Sequence, residues 1–199
     1  MSKNVIFFII LLLAFCTSCK DDVALIPKPR IYPKVIYPQK SYTAFASPDC
    51  PFSMEIPEYF QFIKDKEQTA DEKQHKCWFD LYTKDLNSYI HLSYIEVQNR
   101  KNFDKLVSDA FEMADKHNVK ASYRQELVVT KEEEKVHGLI FEIDGPVATP
   151  VQFFLTDSTQ HFLRGSLYFK SKINRDSIAP IYDFLKLDIQ HLIESFEWE

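Results

Sequence analysis

The stretch VQFFLTDSTQHFLRGSLYFK, residues 151–170, has the pattern of two β-strands joined by a tight turn. Residues 151–156 and 162–170 are rich in apolar, β-branched and aromatic side chains, which favour strands. Between them, residues 157–160 are Asp, Ser, Thr and Gln, and side chains of this kind stabilise turns by hydrogen-bonding nearby backbone amides. The pattern predicts a β-hairpin, and a hairpin pairs its two strands antiparallel.

The segments on both sides of this hairpin predict further strands and two helices. Apolar residues that alternate or run together predict strands at 52–57, 77–82, 89–97, 123–129 and 136–143. Apolar residues at helical spacing predict helices over 102–117, with Asn102 as N-cap, and over 176–196, with Asp176 as N-cap. Tight turns between most strands indicate an α+β fold, a mainly antiparallel sheet with two packed helices. This layout resembles the Mog1/PsbP-like sandwich, a likeness of fold that says little about function.

The N-terminal stretch, residues 1–19, is typical of a bacterial lipoprotein signal peptide. Lys3 precedes the apolar run 5–15, and small polar residues come directly before Cys19. The run is shorter than the roughly 20 apolar residues that a transmembrane helix needs. We expect residues 1–18 to be removed and Cys19 to carry lipid, which would hold the chain on a membrane. Lipidation of Cys16, or an ordinary signal peptide without lipid, is the alternative.

A proline-rich segment follows the signal peptide. Residues 19–48 are expected to be the lipidated N-terminus and a tether, because dense proline favours an extended backbone. Tyr32, Tyr37 and their apolar neighbours are more hydrophobic than a spacer requires, so part of the tether is expected to lie on the domain or on a partner. Residues 49–199 are then expected to form a single globular α+β domain.

Composition excludes several classes of function. Loss of residues 1–18, in which Lys3 is the one charged side chain, takes the net charge from −5 to −6. An acidic chain is a poor candidate for nucleic-acid binding, which requires a clustered basic surface. The chain has 3 glycines, all far apart, so it has no glycine-rich phosphate loop. We predict no cofactor.

Two cysteines remain beyond Cys16 and Cys19. In the oxidising cell envelope, Cys50 and Cys77 most simply form one disulfide, which would stabilise the fold by about 3 kcal/mol if it acts through chain entropy. Two buried free thiols are the alternative. A metal site is disfavoured, because the chain has neither a Cys-x-x-Cys motif nor paired histidines to complete a ligand set.

The turn of the 151–170 hairpin concentrates polar side chains. A hydrolase would use Ser158 as nucleophile and His161 as general base, but no glycine flanks Ser158 as it does in a nucleophile elbow. Stabilisation of the turn explains the same residues more simply, so no catalytic residue is predicted. Arg164, which shares a strand face with Phe162, could pair with Asp157 or Asp144, or present its guanidinium to a partner's carboxylate.

Several blocks of the sequence resemble the GldD family, the gliding-motility lipoproteins of Bacteroidetes. The likeness covers nearly all of the mature chain. Its most specific part is 148–153 running into 156–165, and shorter blocks occur at 27–29, 50–52, 77–78, 91–94 and 194–198. The resemblance implies an accessory protein for gliding and for the type IX secretion machinery, with other envelope proteins as partners and no known catalytic residue.

The tethered domain and the family resemblance together predict a lipid-anchored envelope protein. It would support gliding motility and the assembly or stability of the type IX secretion and gliding machinery through protein–protein contacts. The domain is expected on the periplasmic side, on either the inner or the outer membrane. The alternatives are an envelope hydrolase using Ser158 and His161, and a module that binds a cell-wall ligand through aromatic residues. The expected partner-binding residues are Asp157, Ser158, Thr159, His161, Phe162 and Arg164, with Tyr32 and Tyr37 second.

Overall fold

The structure is a computed structural model and describes residues 34–64, 77–118, 121–170 and 175–199. The signal peptide, the lipidation site Cys19, its alternative Cys16, and Tyr32 lie outside the described residues. The predictions made about them therefore stay predictions.

Two antiparallel sheets and two helices make up the described fold, so the predicted α+β class is confirmed. The strands are β1 (Tyr42–Ala46), β2 (Phe52–Pro57), β3 (Gln61–Lys64), β4 (Trp78–Thr83), β5 (Ser88–Glu96), β6 (Tyr123–Lys131), β7 (Val136–Asp144), β8 (Val151–Thr156), β9 (His161–Phe169) and β10 (Glu197–Trp198). The helices are α1 (Arg100–Asn118) and α2 (Arg175–Glu194). The larger sheet has seven strands in the order β3-β4-β5-β9-β8-β7-β6, and the smaller one has the order β1-β2-β10.

The hairpin of residues 151–170 becomes β8 and β9, near the middle of the larger sheet. Every side chain of β8 is buried, because the sheet is covered on both faces at this point. Phe153 points into the core shared with α2, whereas Phe154 points into the core under α1. Gly165 lies opposite Phe153 in the register, and a Cβ atom there would come within 2.1 Å of the Phe153 ring. The glycine is therefore required by packing.

Two hydrophobic cores lie on opposite faces of the larger sheet. The first is formed with β2 of the smaller sheet and with α2, which contributes Leu185, Ile189 and Leu192. The second is formed with α1, whose Ala110 and Ala114 pack against aromatic side chains of β7, β8 and β9. The larger sheet is thus the middle layer, with α2 and the smaller sheet on one side and α1 on the other.

The start of α1 differs from the prediction. Asn102 is not the N-cap; the helix begins at Arg100, and the Asn102 backbone N–H donates to Asn99 Oδ1 at 2.9 Å. Asn102 Oδ1 in turn accepts a hydrogen bond from the Gln98 N–H at 3.2 Å. The arrangement is close to a capping box, but the Asn102 side chain reaches the N–H of Gln98 and not that of the N-cap Asn99, so Asn102 reinforces the cap from inside the first turn. Helix α2 begins at Arg175, and the side chain of Asp176 lies outside the described residues.

Three short strands, β1, β3 and β10, were not predicted from the sequence. Strand β1 falls within residues 19–48, the range expected to be tether, and pairs with β2 along its whole length. Strand β10 pairs with the other edge of β2, beyond the end of α2. The folded part of the chain therefore begins upstream of residue 49.

The disulfide predicted from the sequence is present in the structure. Cys50 and Cys77 are bonded, and both residues are buried. Cys50 lies two residues before the start of β2 of the smaller sheet, and Cys77 directly precedes β4 of the larger sheet. The bond thus ties the two sheets together at their entry points and limits their separation in the unfolded chain.

Candidate functional site

The carboxylate of Asp157 is fully engaged within its own turn. Its Oδ1 accepts hydrogen bonds from the backbone N–H groups of Thr159, Gln160 and His161, at 3.0, 2.8 and 2.8 Å. The Thr159 hydroxyl donates to Oδ2 at 2.6 Å. Burial works against the ionised form, but these hydrogen bonds lower the pKa of Asp157 to about 2. Asp157 and Thr159 therefore stabilise the hairpin and have little capacity left for a partner.

Ser158 occupies the strained position of the same turn. Its backbone has a φ of 65°, in the left-handed region, and its N–H donates to Thr156 Oγ1 at 2.9 Å. The side chain is exposed. Among the contacts of the described residues, none joins the Ser158 hydroxyl to His161, so the geometry gives the hydrolase alternative no support.

His161 connects the hairpin to the C-terminal strand. Its Nδ1 lies 2.8 Å from the Tyr94 hydroxyl, and its ring stacks on Trp198 with centroids 5.0 Å apart. Burial, together with the charges of Glu96 and Asp157, raises the pKa of Tyr94 to about 12, so its hydroxyl stays protonated. These contacts place His161 in a structural role between β5, β9 and β10.

Phe162 is not available to a partner. It is 1% exposed and stacks on Phe154 with ring centroids 5.2 Å apart, beneath α1. The prediction that it contacts a partner is corrected by this burial, because reaching it would require displacing the helix. The predicted sharing of a strand face with Arg164 is correct.

Arg164 lies at the border between the part of the sheet that α1 covers and the part that it leaves open. Burial lowers the pKa of its guanidinium, and the charge of Asp109 on α1 raises it. Within the described residues Arg164 makes no ion pair and no hydrogen bond through its side chain. The two partners suggested by the sequence, Asp157 and Asp144, are therefore not its partners in the structure.

An open part of the larger sheet begins at Arg164. Helix α1 packs over β7 and β8, and it leaves the same face of β4, β5 and the C-terminal half of β9 uncovered. Residues paired across neighbouring antiparallel strands point to the same side, so the register brings polar and aromatic side chains together here. We name this surface the tyrosine face; it consists of Asp80, Tyr82, Tyr89, His91, Ser93, Arg164, Ser166 and Tyr168.

Aromatic rings run across the tyrosine face in one row. Tyr82 is paired with Tyr89, and Tyr89 with Tyr168, on three adjacent strands. The Tyr82 and Tyr89 centroids are 4.5 Å apart, and those of His91 and Tyr168 are 5.9 Å apart. His91 Nδ1 lies 2.5 Å from Asp80 Oδ1, which fixes the ring of His91 between the tyrosines. The result is a preformed aromatic surface on rigid strands.

A second cluster fixes the end of the tether to the domain. Asp188 of α2 is fully buried; its Oδ1 accepts hydrogen bonds from Lys40 Nζ at 2.6 Å and the Tyr42 hydroxyl at 2.8 Å. Its Oδ2 accepts a hydrogen bond from the Tyr59 hydroxyl. Burial, reinforced by the Asp188 carboxylate, raises the pKa of both tyrosines. Lys40 also donates to the Phe184 carbonyl oxygen at 2.9 Å. We call this set of contacts the Asp188 latch.

The described part of the tether continues this attachment upstream. Tyr37 contacts the ring of Phe184 at a centroid distance of 4.8 Å, and Val35 packs against the first core. Ile36 between them is 80% exposed. This part of the tether therefore lies on the domain, which is one of the two arrangements expected from its apolar residues.

A cleft of about 320 Å³ lies between α2 and the ends of β6 and β7. Lys186 pairs with Glu142 on its wall, with Nζ 2.7 Å from Oε1. Burial raises the pKa of Tyr182 there, and the negative charges of Glu142, Asp183 and Asp144 raise it further. The volume is at the lower limit for small-ligand sites. The cleft could not be predicted from the sequence, because its walls come from distant segments.

Comparison with known proteins gives a family match. A family model described as gliding motility lipoprotein GldD matches residues 22–198. The chain belongs to this family. The predicted membership is thereby confirmed, and with it the assignment as a gliding-motility lipoprotein of the cell envelope.

Other comparisons add a likeness of structure. The solution structure of cyanobacterial PsbP (CyanoP) from Synechocystis sp. PCC 6803 aligns with a TM-score of 0.48 at 9% identity, covering 81% of this chain and 95% of that one. No curated protein matches the sequence. Neither result identifies a ligand or a catalytic residue for this GldD-family chain.

The part of the chain that the structure describes contains neither a membrane-spanning helix nor a metal-binding cluster. None of its helices has the length and hydrophobicity to cross a membrane. Its His, Cys, Asp and Glu side chains nowhere gather in a group of three or more that could bind a metal ion. Both statements apply to residues 34–64, 77–118, 121–170 and 175–199.

Proposed function

We propose that this chain is a lipid-anchored adaptor of the gliding and type IX secretion machinery. Cys19 carries the lipid, residues 20–33 span the distance to the domain, and the domain binds other envelope proteins on the periplasmic side. Its role is to support the assembly or stability of that machinery through protein–protein contacts. Family membership supports the link to gliding, and the architecture supports the mode of action.

The Asp188 latch is the observation that carries this proposal. A chain that only needed to stay on a membrane could leave its tether free. Here Lys40 and Tyr42 are bound to a buried carboxylate, so the tether leaves the domain at a defined place. A chain extends at most about 3.5 Å per residue, so the stretch from Cys19 to Val35 limits the domain to on the order of 50 Å from the lipid. A defined exit and a limited reach suit a protein that positions its partners.

The lipid anchor can be tested with a matched pair of cysteine variants. Cys19→Ser should move the protein from the membrane fraction to the soluble fraction and abolish gliding or type IX secretion in a complemented deletion strain. Cys16→Ser should do neither, because Cys16 is removed with the signal peptide. Membrane retention of Cys19→Ser with full activity would contradict the proposal.

A further inference from the structure

We propose that the tyrosine face docks an acidic segment of a partner protein. The inference rests on the proposed adaptor function and specifies where its domain binds and what chemistry it recognises. The proposed binding surface is the C-terminal half of β9 and its neighbours, whereas the sequence pointed to the Asp157 turn.

In the part of the chain that the structure describes, no element covers the tyrosine face, and its side chains are preformed. Tyr168 is 36% exposed, and the His91 side chain is 46% exposed, although both belong to central strands of a seven-stranded sheet. On the opposite face of the same strands, Ile90, Leu92 and Leu167 are buried in the first core. The core-facing side chains therefore fix these strands in the fold, while their opposite face is accessible to a partner.

The composition of the tyrosine face is that of a protein-binding surface. Tyrosine and arginine are enriched among the residues that dominate binding energy, because they combine a large apolar area with a polar group. Here Tyr82, Tyr89 and Tyr168 are cross-strand neighbours, and Arg164 lies four residues before Tyr168 on the same face of β9. Rigid strands hold these side chains, so little conformational entropy is lost when a partner binds.

The charges of this surface favour an acidic partner. Arg164 and Lys170 lie on the same side of the chain, six positions or about 20 Å apart along an extended strand. Lys170 Nζ lies 5.8 Å from the centre of the Tyr89 ring. Within the described residues neither cation makes an ion pair, whereas the carboxylate of Asp80 is paired with His91.

Arg164 is the central element of this charge pattern. Its guanidinium is largely withdrawn from water, yet among the described residues the compensation it receives is the longer-range field of Asp109. A carboxylate from a partner would supply the missing hydrogen bonds in the fork geometry that arginine prefers. Glutamate or aspartate near one end of the segment would meet Arg164, and the tyrosine row would contact its apolar or aromatic residues.

Binding is tested with the full-length lipoprotein in detergent and two labelled peptides. Both have about ten residues, enough to cross the ~20 Å between the cations; one alternates Glu with Tyr and Gly, and the other has Lys in place of each Glu. Fluorescence anisotropy should show the acidic peptide binding at least about tenfold more tightly, with the preference falling as salt screens the charges. Arg164→Gln should remove about tenfold of that affinity, and Tyr89→Ala with Tyr168→Ala a similar amount.

Matched controls come from β6. Arg124 is a half-buried arginine whose guanidinium is paired with Glu126, and Tyr123 is an exposed tyrosine on the same strand. Arg124→Gln and Tyr123→Ala should leave peptide binding unchanged. Equal binding of the two peptides, or wild-type binding by Arg164→Gln, would overturn the inference. Binding of a cell-wall glycan fragment at the same residues, without the acidic peptide, would also overturn it.

The same variants separate this inference from the proposed function in cells. If a deletion strain loses gliding or secretion, and Arg164→Gln combined with Tyr168→Ala restores both at normal protein levels, the tyrosine face is not the docking surface and the adaptor function stands. If the deletion itself changes neither process, the adaptor function fails. Loss of function by the double variant, with rescue by Arg124→Gln, supports both.

Discussion

Phe162 and Tyr168 lie on the same face of β9, but their surroundings are opposite. Phe162 is 1% exposed and stacks on Phe154 beneath α1, whereas Tyr168 is 36% exposed beyond the edge of that helix. The strand and the side-chain direction are the same, so the difference follows from the position of α1, which covers Phe162 and ends short of Tyr168. A strand face can thus be core at one end and binding surface at the other, depending on how far the helix extends.

The largest expected effect is the difference between these two aromatic residues. Phe162→Ala should lower the free energy of unfolding by about 3–5 kcal/mol, since it opens a cavity in a closed core. Tyr168→Ala should lower it by less than about 1 kcal/mol, since its ring is already in contact with water. Urea denaturation of both variants measures the two values. Similar losses would show that the C-terminal half of β9 is as well covered as the first half.

A second contrast is between a charge with partners and a charge without. Asp188 accepts hydrogen bonds from Lys40, Tyr42 and Tyr59, whereas Arg164 has no direct partner among the described residues. Asp188→Asn should cost about 3 kcal/mol, because Lys40 loses its counter-ion in a partly buried site.

Arg164→Gln should change the free energy of unfolding by less than about 1 kcal/mol. Thermal and urea unfolding check both values, and limited proteolysis upstream of Lys40 should accelerate only in Asp188→Asn. A large loss from Arg164→Gln would mean that its guanidinium stabilises the fold and is not reserved for a partner.

The local patterns of the sequence were sufficient for much of this fold. The hairpins at 123–143 and 151–170 and the disulfide could be predicted because strand alternation, turn residues and cysteine number are local or compositional signals. Strands β1 and β10 could not, because both are short and pair only with β2, which is distant along the chain.

The functional surfaces depend on long-range contacts, which explains why they were harder to predict. Lys40 reaches Asp188 across 148 positions of the sequence, and nothing near either residue indicates that pairing. The tyrosine row requires β5 to pair with β9, a register that no turn specifies. The Asp157 turn attracted attention because its polar residues are adjacent in sequence, yet they hydrogen-bond to one another. Whether a polar side chain is already hydrogen-bonded within the fold distinguishes the Asp157 turn from Arg164, and that information comes from the structure.

A smaller effect is expected at the Asp157 turn, where the polar groups are satisfied internally. Asp157→Asn should lower stability by about 1 kcal/mol near neutral pH, because the charged acceptor of several amide groups is lost. The pKa of Asp157 falls from 3.8 to about 2 on folding, so its contribution is complete above about pH 4 and is lost as the pH falls towards 2. The difference between wild type and variant, measured by urea denaturation, should therefore shrink from pH ~6 to pH ~3. A constant difference would mean that the carboxylate charge does not matter.

The smallest expected effect concerns Ser158, at the tip of the same turn. Its φ of 65° strains any residue with a Cβ atom, and glycine removes that strain at the cost of greater freedom in the unfolded chain. Ser158→Gly should therefore raise the free energy of unfolding slightly, by about 0.5 kcal/mol, whereas Ser158→Ala should not raise it. Both variants lack the hydroxyl, and both should support gliding or secretion like the wild type if the turn is structural. Loss of function by both at normal protein levels would favour the hydrolase alternative, because the two backbones differ in strain and share only the missing hydroxyl.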